Sequence, residues 1–157
     1  MNKVIYRQAA GKDILQIIEL WREFIDFHKV RDSFYSRSKD GPENFGKFIL
    51  ENLHKEDAVV YVAETKGRVV AYMLATIQNY PPAFEITRYG LINDLAVTAK
   101  YRRVGIGEHI LEMAKNWFEK KAIKRIEAEV VIANEISTSF WAKIGFKPYK
   151  EIFFAEI

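Results

Sequence analysis

Between an apolar run and a long amphipathic stretch lies Lys100-Tyr101-Arg102-Arg103-Val104-Gly105-Ile106-Gly107, where three cations and two glycines meet at one turn. Glycine permits positive φ and, having no Cβ, lets an anion come close to backbone N–H groups. A helix beginning there adds roughly half a positive charge from its unpaired amides. Arg102 and Arg103 reinforce it. Arg102, Arg103, Val104, Gly105, Ile106 and Gly107 are therefore candidates for a phosphate cradle. Taken alone, the same pattern also describes a tight strand-to-helix turn with solvated arginines, so the elements around it must decide.

Those elements follow from periodicity. Val4 to Gln8 reads as a strand, and Ile14, Ile17, Ile18, Trp21 and Ile25 recur at helical spacing. Asp40-Gly41-Pro42 opens a second helix carrying Phe45, Phe48, Ile49 and Leu53, after an irregular aromatic stretch from Phe27 to Lys39. Ala58 to Glu64 and Val69 to Gln78 are β-rich and joined by Thr65-Lys66-Gly67-Arg68, a hairpin signal. Tyr89 to Val97 is a strand, Gly105 to Lys121 a helix, Arg125 to Val131 a strand and Glu135 to Ile144 a helix. Phe146 onward, ending Ile152-Phe153-Phe154-Ala155-Glu156-Ile157, reads as one or two further strands. The strand-helix-strand unit from Tyr89 to Val131 predicts parallel strands, with the N-terminus of its helix at their C-terminal edge, where ligands bind.

At 157 residues the expectation is one domain over 1–157. Apolar residues are 49% and charged residues 29%, which excludes a disordered chain. The absence of cysteine excludes disulfides, thiolate metal sites and a cysteine nucleophile, and three scattered histidines make no metal site. No apolar run reaches membrane-spanning length and the N-terminus lacks a signal-peptide core, so a cytoplasmic protein is expected, without a membrane partner. The net charge of +3 is interspersed with acids along the chain. It suits one phosphate-bearing ligand better than a nucleic acid.

With that context the loop resembles the signature of the GNAT superfamily of N-acetyltransferases, Gln/Arg-x-x-Gly-x-Gly/Ala, matched by Arg102, Gly105 and Gly107. A second block, Glu129-Val130-Val131-Ile132-Ala133-Asn134 followed by Phe140 to Phe146, is similar to the family's second strand-helix unit. The resemblance implies an α/β (α+β) fold, a mixed, mostly antiparallel central sheet covered by about four helices. It also implies acetyl-CoA as co-substrate. Backbone groups of Leu95, Ala96 and Val97 would pair with the pantetheine arm as a peptide adds to a sheet edge, and Asn134 would contact that arm while also suiting a helix N-cap.

Amide formation needs a neutral amine, so a base is expected. Glu129 matches the position where some members that acetylate protein N-termini place theirs, and Asp94 on the neighbouring strand is the competitor. A carboxylate partly buried in a sheet has its pKa raised toward the useful range. Each also reads as a strand-surface carboxylate paired with a lysine. Where many members carry an acidic tyrosine there is Trp141, whose indole N–H donates a hydrogen bond but cannot protonate a thiolate.

His28, Asp32, Phe34 and Tyr35 fall where the family commonly builds its acceptor wall, although His28 also suits a helix C-terminus. His109 reads as structural. Tyr80 and Phe84, on the loop that carries the paired prolines, are candidates to gate the pocket, although paired prolines also simply stiffen a turn. Gly41 to Phe48 spells most of a P-loop but has a glutamate inside and no strand before it, and Gly105-Ile106-Gly107 lacks the third glycine of a dinucleotide fingerprint. The expected function is N-acetylation of a primary amine by direct attack on acetyl-CoA. The alternatives are a non-catalytic acyl-CoA-binding or sensing module and, more distantly, a basic RNA-binding domain. A homodimer is expected if the apolar C-terminal strand forms a sheet edge.

Overall fold

Strand alternation sorts the chain's β-branched and aromatic residues onto two faces, each needing its own cover. In the computed structural model, which describes residues 3–157, the strands are β1 Ile5–Gln8, β2 Ala58–Thr65, β3 Arg68–Asn79, β4 Arg88–Val97 and β5 Ile126–Ala128. The helices are α1 Ile14–Lys29, α2 Gly41–Asn52, α3 Ile106–Lys120 and α4 Glu135–Lys143. The sheet order is β1-β2-β3-β4-β5, antiparallel except for the parallel β4–β5 pair. The expected mixed sheet, four helices and parallel unit around α3 are all present. Among the described residues, no helix is long and apolar enough to cross a membrane.

One face, with Val60, Val62, Tyr72, Leu74 and Ala96, is covered by Ile17 and Leu20 of α1 and Phe45 and Ile49 of α2. The other, with Tyr61, Ala63, Ala71, Met73, Ala75 and Ile92, is covered by Ile110, Leu111, Ala114 and Phe118 of α3 and by Trp141 of α4. The β2–β3 hairpin turns through Lys66 and Gly67, both at positive φ (50° and 73°), the two-residue geometry that matches strand twist.

The α3 crossover lies close on the sheet at Gly90. A Cβ placed there would sit 2.5 Å from Phe118 Cε1, and Phe118 is fully buried. Gly90→Ala is therefore expected to cost about 1–3 kcal/mol by overpacking, read as a lower midpoint in urea unfolding with an unchanged slope.

Two expected strands differ. The run from Arg125 to Val131 yields only Ile126–Ala128, because the β3–β4 register shifts between Leu74, opposite Asp94, and Ala75, opposite Ile92. The extra residue, Asn93, makes a bulge that bends β4, and the β4–β5 pairing ends at Ile92 and Ala128. Glu129 thus lies just beyond the paired segment. The C-terminal segment from Phe146 forms no strand at all, and Ile152, Phe153, Phe154 and Ile157 are exposed. β-rich composition supplies side chains but no ladder partner. Side chains tether the segment instead: the Tyr149 hydroxyl donates to Glu127 at 2.8 Å, and the Arg125 guanidinium lies 4.4 Å from the Tyr149 ring. The strand edge on which dimerisation was expected is thus missing.

Candidate active site

Helix α3 starts without a side-chain cap. Gly105, its N-cap, has φ 87°, and Arg103 two residues earlier has φ 62°. The first free amides of the helix, from Ile106 to Glu108, belong to residues lining a cavity of about 850 Å³. Among the described residues no side chain caps these N–H groups, and unpaired amides at a helix start favour an anion. The one acid in that turn, Glu108, is paired with Lys143 at 2.5 Å. Gly107 also has a packing reason: its Cβ would meet the Phe140 ring at 3.3 Å, so α3 and α4 pack closely there.

The cavity continues along β4. Thr98 N–H donates to Val70 O, while on the opposite edge Val97 O accepts from Arg102 Nε at 2.8 Å. By strand alternation Leu95 and Val97 direct their backbone groups to the edge left free where β5 stops pairing, and Ala96 directs its own to β3. Of the three residues, Leu95 and Val97 thus leave backbone groups unpaired by β3, whereas Ala96 pairs with Tyr72; all three line the cavity.

A model of the Acetyltransferase (GNAT) family matches residues 17–146. The chain belongs to the GNAT acetyltransferase family. It is 31% identical over 115 residues to an N-alpha-acetyltransferase of Sulfurisphaera tokodaii, covering 69% of each chain. It is 28% identical over 150 residues to an N-alpha-acetyltransferase of Sulfolobus acidocaldarius, covering 92% of this chain and 80% of the relative. Among solved structures, a tetramutant of the BH1408 protein from Bacillus halodurans superposes with a TM-score of 0.85 at 22% identity, covering 98% of this chain and 99% of that one. The aminoglycoside N-acetyltransferase AAC(6')-Iy in complex with CoA superposes with a TM-score of 0.79 at 14% identity, covering 100% and 96%. These two share the fold.

Within this GNAT site most of the expected loop lines the cavity: Arg102, Arg103, Gly105, Ile106 and Gly107, whereas Val104 is exposed and off the wall. Arg102 does not reach freely into the opening. Besides its bond to Val97 O, its Nη2 lies 3.5 Å from Glu23 Oε1, and Glu23 also accepts from Ala99 N–H and the Thr98 hydroxyl. Glu23 of α1 thus braces the turn that carries the arginines. Arg103, exposed, makes no salt bridge among the described residues and is the freer cation.

The acids divide. Asp94 sits at the β4 bulge with its carboxyl enclosed, and burial pushes it up to about 6. The Tyr72 hydroxyl, wholly buried and without a hydrogen-bond partner among the described residues, shares that surrounding and is raised by burial and by Asp94. Glu129 is exposed where β4 and β5 diverge. Burial raises the Tyr35 and Tyr89 phenols, and carboxylates add to it, Asp32 ahead of Glu129 at Tyr35 and Glu127 ahead of Glu129 at Tyr89. Tyr35 itself packs against His28, with ring centroids 5.3 Å apart. Asp32 is exposed, and its Oδ1 accepts the N–H of Phe34, capping its own turn. Tyr80 donates to Glu127, which also pairs with Arg125 at 2.9 Å. Trp141 is buried, with its indole N–H donating to Ser137 Oγ at 3.2 Å, so it serves packing. His109 stacks on Tyr6 with ring centroids 3.8 Å apart.

Asp94 carries a stability consequence. Its folded pKa lies above its unfolded one, so the native state binds more protons between about pH 4 and pH 6 and stability falls as pH rises through that window. Asp94→Asn, which cannot charge, is expected to be more stable than the parent at pH 7 by on the order of 2 kcal/mol. The gain should vanish below about pH 4, as read from thermal melts across that range.

Helix α1 carries a second apolar stripe beside the one that faces the sheet. Leu20, Phe24, Phe27 and His28 recur at i, i+4, i+7 and i+8 and line the cavity. Its signal was present in the sequence, hidden beside the stronger stripe that faces the sheet. Nothing in the sequence singles out Glu23, whose partners come from a turn about 75 residues away.

Proposed function

We propose that this protein transfers an acetyl group from acetyl-CoA to the α-amine of a peptide or protein N-terminus, by direct attack within a ternary complex. The observation that carries this reading is one continuous cavity joining the uncapped start of α3 to the free edge of β4. Glu129, exposed where β4 and β5 diverge, and Tyr35, whose ring packs on the cavity-lining His28, lie outside the lining itself. The names of the Sulfurisphaera tokodaii and Sulfolobus acidocaldarius relatives support the choice of α-amine over other primary amines.

In this reading Gly105, Ile106 and Gly107 hold the pyrophosphate through backbone amides, with Arg103 beside it. Leu95 and Val97 align the pantetheine arm. The neutral amine attacks the thioester carbonyl, its surplus proton passes to Glu129, the C–S bond breaks and the CoA thiolate leaves. A thiol of pKa about 8.5 leaves without a strong acid, which fits Trp141 being engaged with Ser137. Asp94 is the competing base.

A panel of acceptors with acetyl-CoA, read by thiol release, tests this. Short peptides with free N-termini should be acetylated, and the same peptides blocked at the N-terminus but carrying lysine should not. Turnover of polyamines or lysine in preference to free N-termini would overturn the α-amine choice. Tight CoA binding with no turnover of any amine would favour the non-catalytic module, for which the engaged Trp141 is the supporting observation.

A further inference from the structure

The side-chain amide of Asn134 is committed at both ends. Its Oδ1 accepts the N–H of Ser137 at 3.1 Å, capping α4, and its Nδ2 lies 3.1 Å from Nε2 of His28 on α1. The Ser137 N–H can only donate, so oxygen must face it and Nδ2 must face the imidazole as a donor. The imidazole is settled in the same way. His28 Nδ1 stands 2.8 Å from the carbonyl oxygen of Phe24, and a carbonyl only accepts. Nδ1 therefore carries the hydrogen, and the lone pair on Nε2 receives Asn134. Both side chains are buried, at 3% and 6% exposure, and both residues line the cavity.

We propose that His28 is a positioning residue for the cofactor: as the neutral Nδ1–H tautomer it holds the Asn134 amide so that the second Nδ2–H is presented to the pantetheine arm. The inference rests on reading the cavity as the CoA site. It assigns His28 a role other than the acceptor wall or the helix dipole. A dipole role favours an imidazolium, which here would set two N–H donors against each other at 3.1 Å. A base for the acceptor needs a free lone pair, and the only one is occupied. The same hydrogen bond joins α1 to the start of α4, so the two walls of the cavity are registered against each other through it.

Calorimetric CoA binding to the whole chain, with no acceptor present, tests this apart from catalysis. His28→Leu is expected to weaken CoA binding by roughly 3–10-fold, the scale of one buried hydrogen bond. His28→Gln, which can donate to Phe24 O and accept from Asn134, should recover most of the loss. In an Asn134→Ala background His28→Leu should add nothing further, since the group it positions is gone. A long-range 1H–15N spectrum should show His28 protonated on Nδ1 and bare on Nε2, which keeps the question open to test if the leucine variant fails to fold. Unchanged CoA affinity in His28→Leu, a full additional loss in the Asn134→Ala background, or an Nε2–H tautomer would each overturn the inference. Failure of the parent protein to bind CoA would instead overturn the cofactor reading on which it stands.

Discussion

Gly105→Asp is expected to lower CoA affinity by roughly 100-fold or more while the chain still folds, because a charge opposed to the phosphate at close range costs several kcal/mol when poorly solvated. The substitution is sterically mild, since a Cβ at Gly105 meets nothing within 4 Å. Positive φ at this position costs a non-glycine residue about 1–2 kcal/mol, least for Asp and Asn. What changes is the electrostatics. The residue is the N-cap of α3, so the new carboxylate would bond the amides otherwise offered to the pyrophosphate and repel what remains. Gly105→Asn, equal in shape and uncharged, should lose much less. Calorimetric titration of CoA into the two variants makes the comparison, and equal affinity of Gly105→Asp and the parent would remove the α3 start as the anion site.

Replacing Glu129 with Gln should slow turnover of a good acceptor by roughly 10²-fold to 10⁴-fold at neutral pH, with little change in CoA binding. The amide keeps the side chain's shape while losing its basicity. For an α-amine of pKa about 7.7–8.0 the neutral form becomes dominant above that value, so the deficit should narrow as pH rises past 8. Asp94→Asn should cost less. Burial places the Asp94 carboxyl at about 6, a favourable value for a base, but encloses it on the α1 and α2 face, whereas Glu129 is exposed at the open end of the sheet. Single-turnover rates at saturating acetyl-CoA decide between them. A larger loss for Asp94→Asn would transfer the role to Asp94, and near-full activity in Glu129→Gln would leave Glu129 without a catalytic part.

The glycine turn that opens α3, the hairpin at Lys66-Gly67 and the order of elements through α4 were legible from residue types alone, because each rests on local rules: backbone freedom at glycine, turn chemistry and hydrophobic period. The sequence also carried the family signature in Arg102, Gly105 and Gly107. Tertiary structure alone decided the rest. The length of β5 depended on a bulge at Asn93 in the neighbouring strand, and the absence of a strand over Ile152–Ile157 on the lack of a partner edge, neither of which composition reports. That Ala96 turns its backbone to β3 while Leu95 and Val97 keep the free edge follows from pairing register. Glu23 bracing Arg102, and His28 meeting Asn134 across 106 positions, exist only because packing α1 against the sheet brings its cavity-facing stripe to the loop and to the start of α4. Local spacing can say which residues share a face; which distant face meets it is set by the long-range burial that closes the fold.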